Sequence, residues 1–333
     1  MSKPSIVAIG GGGGASLVLR AVEEFAAQRS AVIAVTDTGR STGLARQMAA
    51  IPAPGDLRAT IAALAADPQG LYARLLDQRF RGAAAGAFDG MAFGNLLIAA
   101  LSQLTGDFAT AIATVSELVS CAATVLPVST VDTQLCAELE DGSLRRGELA
   151  VRGLDKPPIK RLYLDPPAAA YTRSLAAIRS ADLVVLGPGS FYTSVMATLL
   201  HDGMREALRE TSACVVFVCN TTTQPGQTDG LRLADHVRVL SEWLGPEVLD
   251  AALLHRSSAV DPAVAARYAA AGLHVLASDA EDVAMVAALG VQVLIDDLAE
   301  RAGGERALWN KQDTIRHNPV ALGHALRQLL TAS

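Results

Sequence analysis

The chain has 333 residues, half of them hydrophobic, enough for one large domain or two ordinary ones with a sizeable core. A formal net charge of −6 argues against nonspecific nucleic-acid binding, and no run of 18 apolar residues exists to span a membrane. Cys121, Cys136, Cys214 and Cys219 follow neither a disulfide ladder nor a zinc spacing; Cys214 and Cys219 flank one predicted strand and are expected as buried thiols, and Met-Ser-Lys-Pro enters the first strand too soon for a secretory signal, so a reducing cytoplasm is expected.

The first predicted element is a strand, Ser5-Ile6-Val7-Ala8-Ile9, which empties into Gly10-Gly11-Gly12-Gly13-Gly14-Ala15. Leu17, Val18, Ala21, Val22 and Phe25 then recur at helical spacing, so the stretch reads as strand, tight turn, helix. Glycines admit backbone angles closed to other residues and leave N–H groups bare at a helix N-terminus, where the dipole favours an anion. The competing reading is a flexible terminus without a ligand. Gly10, Gly12 and Ala15 also satisfy the loose G-x-G-x-x-A dinucleotide spacing, a weak signal alone.

A strand over 31–35 runs into Thr36-Asp37-Thr38-Gly39-Arg40-Ser41-Thr42-Gly43, a second loop suited to phosphate or sugar. Asp37 there fits three roles equally: holding a ribose, binding a metal, or capping the next helix. Prolines punctuate a third loop, Ile51-Pro52-Ala53-Pro54-Gly55-Asp56-Leu57-Arg58, where Asp56 either caps a helix beginning near Leu57 or meets a ligand. Helices are predicted over 57–66, 71–78, 93–104 and 109–119, with a mobile loop at 81–86 and Asn95 at the start of the third helix. Strands over 121–128, 134–140, 147–152 and 159–164, with an Asp141-Gly142 turn, form a short antiparallel excursion.

Alternation then resumes. A helix over 175–179 and a buried strand over 181–186 lead to Gly187-Pro188-Gly189-Ser190-Phe191-Tyr192-Thr193-Ser194, with a helix near 195–200. A strand over 213–219 ends in the polar run 220–230; later strands are predicted over 248–254, 273–276 and 292–295, and a last helix over 319–330.

Open α/β sheets bind ligands at the carboxyl ends of their strands, where strand order reverses, so the polar clusters at four strand ends converge on one crevice. Backbone N–H groups and hydroxyls there suit an anionic, sugar-bearing ligand such as a nucleotide. Arg40, Arg58 and Arg316 are either charge partners for its phosphates or solvated surface residues. Motifs of serine hydrolases, zinc proteases and P-loop proteins are absent. His201, His236, His255 and His274 read as structural. His317 either faces the crevice or starts the last helix. Ser190 reads as a phosphate donor more readily than as a nucleophile, because no His or Asp partner is evident.

The runs 10–14, 37–43, Pro54-Gly55-Asp56-Leu57-Arg58, Gln78-Arg79-Phe80, Gly94-Asn95-Leu96-Leu97, Gly106-Asp107-Phe108, Val125-Leu126-Pro127, 187–194, Cys219-Asn220, 223–230 and Arg316-His317 occur in one order from end to end. In this the chain resembles the gluconeogenesis factor (CofD-like) family. The resemblance implies an α/β fold, with a Rossmann-like, doubly wound, mostly parallel sheet in a single domain over 1–333. It also implies a helical insertion at about 57–120 and an antiparallel segment at about 121–165. It implies a cytoplasmic regulatory protein of carbon metabolism and cell shape that binds UDP-sugars, UDP-N-acetylglucosamine in particular, with a protein partner and assembly into a homo-oligomer, a dimer. The alternative comes from the related branch: a Mg²⁺-dependent transferase joining a phospholactyl-type group, carried on a nucleoside diphosphate, to a deazaflavin acceptor. A nicotinamide-dependent oxidoreductase ranks third.

Carried onto this sequence, the ligand site comprises Gly10, Gly11, Gly12, Gly13, Gly14, Asp37, Thr38, Gly39, Arg40, Ser41, Asp56, Arg58, Asn95, Gly187, Gly189, Ser190, Tyr192, Thr193, Asn220, Gln224, Thr228, Asp229 and Arg316, with no catalytic residue assigned. Asp37 and Asp56 are the metal candidates, for Mg²⁺. Three departures stand out. Gly13 replaces the family's usual Thr or His, Thr38 replaces a second acid or amide, and Asn318 with Pro319 replaces an acid and a phosphorylatable Thr. A bulky residue at Gly12 is expected to abolish binding in a folded chain.

Overall fold

The computed structural model describes residues 3–256, 262–270, 272–300 and 316–332. Its ten strands among these are β1 (Ser5–Gly10), β2 (Gln28–Ile33), β3 (Thr124–Pro127), β4 (Gln134–Leu139), β5 (Leu144–Arg146), β6 (Ile159–Asp165), β7 (Leu183–Leu186), β8 (Cys214–Val218), β9 (Ala251–His255) and β10 (Gln292–Asp296). Seven form one sheet in the order β10-β9-β8-β7-β1-β2-β3, every adjacent pair parallel. The other three form an antiparallel sheet, β5-β4-β6.

Parallel strands carry helices on both faces, so they bury side chains on both sides and read as apolar runs. Ile6, Val7, Ala8 and Ile9 of β1 are at most 1% exposed, and Leu183, Val184, Val185 and Leu186 of β7 are fully buried. The chain winds outward from β1 through β2 to β3, then returns to the other side of β1 as β7 and winds outward again to β10. Strand order therefore reverses between β1 and β7, and a crevice opens at their carboxyl ends. This is the doubly wound α/β architecture read from the sequence.

The helices that position the crevice are α1 (Gly12–Ala21), α2 (Arg40–Ala49), α3 (Gly55–Ala63), α4 (Leu71–Asp77), α5 (Phe93–Thr105), α6 (Phe108–Leu118) and α7 (Glu148–Val151). Four expectations are corrected. The run 121–128, grouped with the antiparallel excursion, supplies β3 to the parallel sheet, where it pairs with β2, so the antiparallel segment begins only at β4. The segment 147–152 is a helical turn, not a strand. Gly147 adopts φ +87°, and the Ala150 and Val151 amides bond back to its carbonyl at 3.0 Å. Val151 buries completely by that turn, and four residues carry too short a pattern to distinguish period 2 from period 3.6. The run 273–276 joins no sheet and makes only a bridge between Val275 and Thr222. The expected loop at 81–86 enters 3₁₀ turns over Ala83–Phe88. The hairpin at Asp141-Gly142 forms as expected, with Gly142 at φ +81° and its amide on the Leu139 carbonyl at 2.9 Å.

Candidate functional site

A cleft of about 690 Å³ lies at the carboxyl ends of β1, β2, β7 and β8. Its floor is the glycine run, and the five glycines do different work there. A Cβ on Gly14 would sit 1.5 Å from the Pro188 carbonyl oxygen, and one on Gly12 would sit 2.5 Å from that of Asp56. Gly11 has the Ser194 hydroxyl 2.7 Å from its Cβ position. These glycines let three backbone segments pack together. Gly13 is the one that faces open space, with nothing within 4 Å. Valine at Gly12 would therefore strike the α3 backbone, and the expectation of an intact fold with such a residue is corrected: Gly13 is the position that senses the cleft alone. Helix α1 starts with Gly11 as N-cap and no side-chain cap, so its first N–H groups are left for other partners.

One wall is acidic. Asp37 follows β2 and accepts the Gly39 amide at 2.7 Å, short of the N2 or N3 amide that a helix cap would take. Asp56 lies inside the first turn of α3, whose N-cap is Pro54, so it lines the cleft rather than capping the helix. Burial, reinforced by the Asp37 charge, pushes its pKa up to about 6, while the Gly12 N–H pulls the other way. Glu148 enters the same wall from α7. It is 6% exposed, and burial, again with Asp37, raises its pKa to about 7. Arg152 donates to one of its carboxyl oxygens at 3.0 Å. Arg46, 6% exposed, fixes the Asp37 loop from behind. It donates to the Asp37 and Thr133 carbonyls at 3.2 and 2.7 Å and to the Asp132 carboxylate at 2.6 Å.

The facing wall is made of hydroxyls and amides. The Ser190 and Thr193 hydroxyls are 2.7 Å apart, and Ser190 also reaches Gln227 Oε1 at 3.0 Å. Asn220 donates to the Gly189 carbonyl at 2.7 Å, and Gln224 accepts the Phe191 amide at 2.9 Å. Arg316 is exposed at the cleft edge. His317 is buried with Nε2 2.9 Å from the Cys219 carbonyl, and burial lowers its pKa to about 4, so it is neutral near pH 7.

Asp37 and Asp56 together suit Mg²⁺, which takes one or two carboxylates and completes its shell with water and substrate phosphates. They line one cleft and feel each other's charge. No cluster of three or more His, Cys, Asp or Glu is arranged for a metal among the described residues.

The model of the family described as 2-phospho-L-lactate transferase CofD matches residues 6–299. The chain belongs to the CofD family. A gluconeogenesis factor of Halalkalibacterium halodurans is 34% identical over 327 residues, spanning 98% of this chain and 96% of its own. One of Bacillus subtilis is 32% identical, spanning 98% of both. A crystal structure of a Bacillus halodurans protein matches with TM-score 0.88 at 34% identity, covering 98% of this chain and 99% of that one. These matches run the length of the chain, and they bear out the family and the fold read from the loops.

Of the motif residues, this CofD-family protein brings Gly11, Gly12, Gly13, Gly14, Asp37, Asp56, Gly189, Ser190, Thr193, Asn220, Gln224 and Arg316 to the cleft lining. Of the others, all but Arg40 lie outside the lining. Gly10 ends β1 and Gly187 follows β7. Thr38 accepts the Leu149 amide at 3.2 Å, and Gly39 caps α2. The Ser41 hydroxyl accepts the Ala92 amide and Asn95 Nδ2, each at 2.9 Å. Arg58 is buried against Asp77 and the Leu76 carbonyl. Tyr192 stacks edge-on against Phe191, Thr228 accepts the Gln224 amide, and Asp229 accepts the Gly226 amide. The Arg40 side chain lies outside the described residues. Glu148, Arg152, Arg20 and Asp77 also line the cleft but escaped the sequence reading. Gly147, a helix-start signal, was the clue to Glu148.

Proposed function

We propose that this protein binds a nucleotide-sugar of the UDP-N-acetylglucosamine type in the cleft and acts as a regulator of carbon metabolism and cell shape. The observation that carries the reading is the meeting of two βα junctions at the β1/β7 reversal. One offers an uncapped helix start, the other hydroxyls and amides. The Gly13 and Gly14 N–H groups, with Arg316, are assigned to the diphosphate; Ser190, Thr193 and Asn220 to the remaining polar atoms. The regulatory part is supported by the gluconeogenesis factors among its full-length relatives. Calorimetric titration tests the reading: saturable heat with a nucleotide-sugar supports it, and flat traces with UDP, GDP and their sugars end it.

A second reading has its own observation. Asp37 and Asp56 share the cleft, and the family description is of a phospholactate transferase. Under this reading the two carboxylates would hold Mg²⁺, which when bound would supply positive charge against the donor's phosphates, while the glycine floor orients the diphosphate. Product from a nucleoside-diphosphate-activated phospholactate and a deazaflavin acceptor supports this alternative. Its absence with Mg²⁺ present and the donor demonstrably bound removes it.

A further inference from the structure

The two walls of the cleft belong to different halves of the doubly wound sheet, and one segment touches both. The loop of Asp37 and Thr38 follows β2, whereas Ser190 follows β7 and Gln224 follows β8. The antiparallel sheet sends α7 and residues 152–156 to reach both sides. On one side the Leu149 amide of α7 donates to Thr38 Oγ1 at 3.2 Å. On the other the Lys156 ammonium donates to the Gly226 carbonyl. Gly226 adopts φ +77°, and a Cβ there would sit 2.4 and 2.8 Å from the Gly153 and Arg152 carbonyl oxygens, so the two backbones lie in contact. The turn that carries Gly226 is tied to itself: Asp229 accepts the Gly226 amide at 2.6 Å, and the Gln227 and Thr228 amides reach the Gln224 carbonyl at 2.9 Å. From that turn Gln224 Oε1 accepts the Phe191 amide at 2.9 Å, and Gln227 Oε1 accepts the Ser190 hydroxyl at 3.0 Å.

These bonds make one unbroken path from Thr38 through α7 and Lys156 to the 224–229 turn and Ser190. Asp37 lies past Ile33, the end of β2, and Ser190 past Leu186, the end of β7, so the ladder of the parallel sheet does not reach either loop. Loops beyond a ladder are held by side chains and by one another. We infer that Lys156 is a positioning residue: with Gly226 it clamps α7 to the 224–229 turn, so that the acidic wall and the hydroxyl wall keep one spacing and grip a ligand together. Lysine suits the place, because its stem is half-buried while its ammonium reaches a carbonyl. The antiparallel excursion thereby serves as a brace across the point where strand order reverses. The brace follows from the cleft itself; its effect on binding rests on the nucleotide-sugar reading.

The test measures backbone amide exchange by mass spectrometry in wild type, Lys156→Met, Lys156→Arg and Gly226→Ala, followed by calorimetric titration of UDP-N-acetylglucosamine into the same proteins. Lys156→Met keeps the stem and removes the donor. Peptides carrying the Leu149 amide and peptides carrying the Phe191 amide are both expected to exchange about threefold faster or more, the size of one lost hydrogen bond, while β1 and β9 exchange as in wild type. Affinity for the nucleotide-sugar is expected to fall by about threefold or more in the same variant. Lys156→Arg keeps a donor and is expected to stay within about twofold of wild type in both measurements. Gly226→Ala opens the same contact from the other side, and Lys156→Met serves if it does not fold. Faster exchange at one junction alone, or at neither, overturns the inference. So does unchanged affinity in a Lys156→Met protein whose exchange has risen at both, or an arginine variant no better than the methionine one. A wild type that takes up no nucleotide-sugar counts against that reading alone, and the exchange result then decides the brace by itself.

Discussion

Asp56 and Glu148 keep their protons at pH values where exposed carboxyls have lost them. Their pKa values rise from 3.8 to about 6 and from 4.5 to about 7, burial being the larger cause in both. Between about pH 4 and pH 7 the unfolded chain therefore binds fewer protons at these sites than the folded one, so their contribution to stability falls as pH rises and levels off above about pH 7. Glu148→Gln removes its share. The variant is expected to gain on the order of 1–3 kcal/mol relative to wild type on going from pH 4.5 to pH 8, read by urea denaturation. A constant difference across that range contradicts the assignment. The glycines give a second test at this scale. Gly14→Ala forces the loop off the Pro188 carbonyl and is expected to cost about 1–3 kcal/mol, the range for overpacking. Gly13→Asp meets open space in the first turn of α1, and its denaturation midpoint is expected to stay near wild type. The sequence marked the glycine run as special, but only coordinates separate Gly12 and Gly14, which admit neighbouring backbone, from Gly13, which borders the ligand space.

Elements were legible where their period was long. Helices α4 and α5 fall within a residue of their sequence-read limits, because Gly70 and Gly106 bound them and their apolar spacing persists for two to three turns. The four-residue α7 was read as a strand, and its Glu148 was lost from the site with it. Arg46 was missed for another reason. Nothing local distinguishes it from a surface arginine on α2, since its partners Asp132 and Thr133 come from 86 and 87 residues away. It ties the β2 loop to the segment after β3, so Arg46→Ala leaves the Thr36, Asp37 and Thr133 carbonyls without their donor. The expected cost is about 1–3 kcal/mol, that of leaving buried carbonyls without their donor, since Asp132 itself is exposed, with weaker ligand binding as Asp37 loses its support. Denaturation and titration of one variant read both. Unchanged stability contradicts the role given to Arg46.

Across the whole molecule, the sheet order could be anticipated only in outline. Apolar strands ending in polar turns specify a parallel α/β sheet, but its switch point follows from where the chain re-enters after the β4–β6 excursion, a long-range fact with no local signature. Once β7 lies beside β1, the junctions at 10–14 and 187–194 have to meet, and one cleft replaces several separate loops. Residues that do not line it, such as Ser41 with Asn95, and Thr228 behind Gln224, brace those that do. The central claim is that two βα junctions together hold the diphosphate of one nucleotide-sugar. Titration of UDP-N-acetylglucosamine into wild type and into Gly13→Asp tests it most directly. The account predicts saturable binding to wild type and at least about a tenfold loss in a Gly13→Asp variant of unchanged stability, because the added carboxylate repels the diphosphate. Equal affinity in the two proteins, or no heat in either, contradicts it.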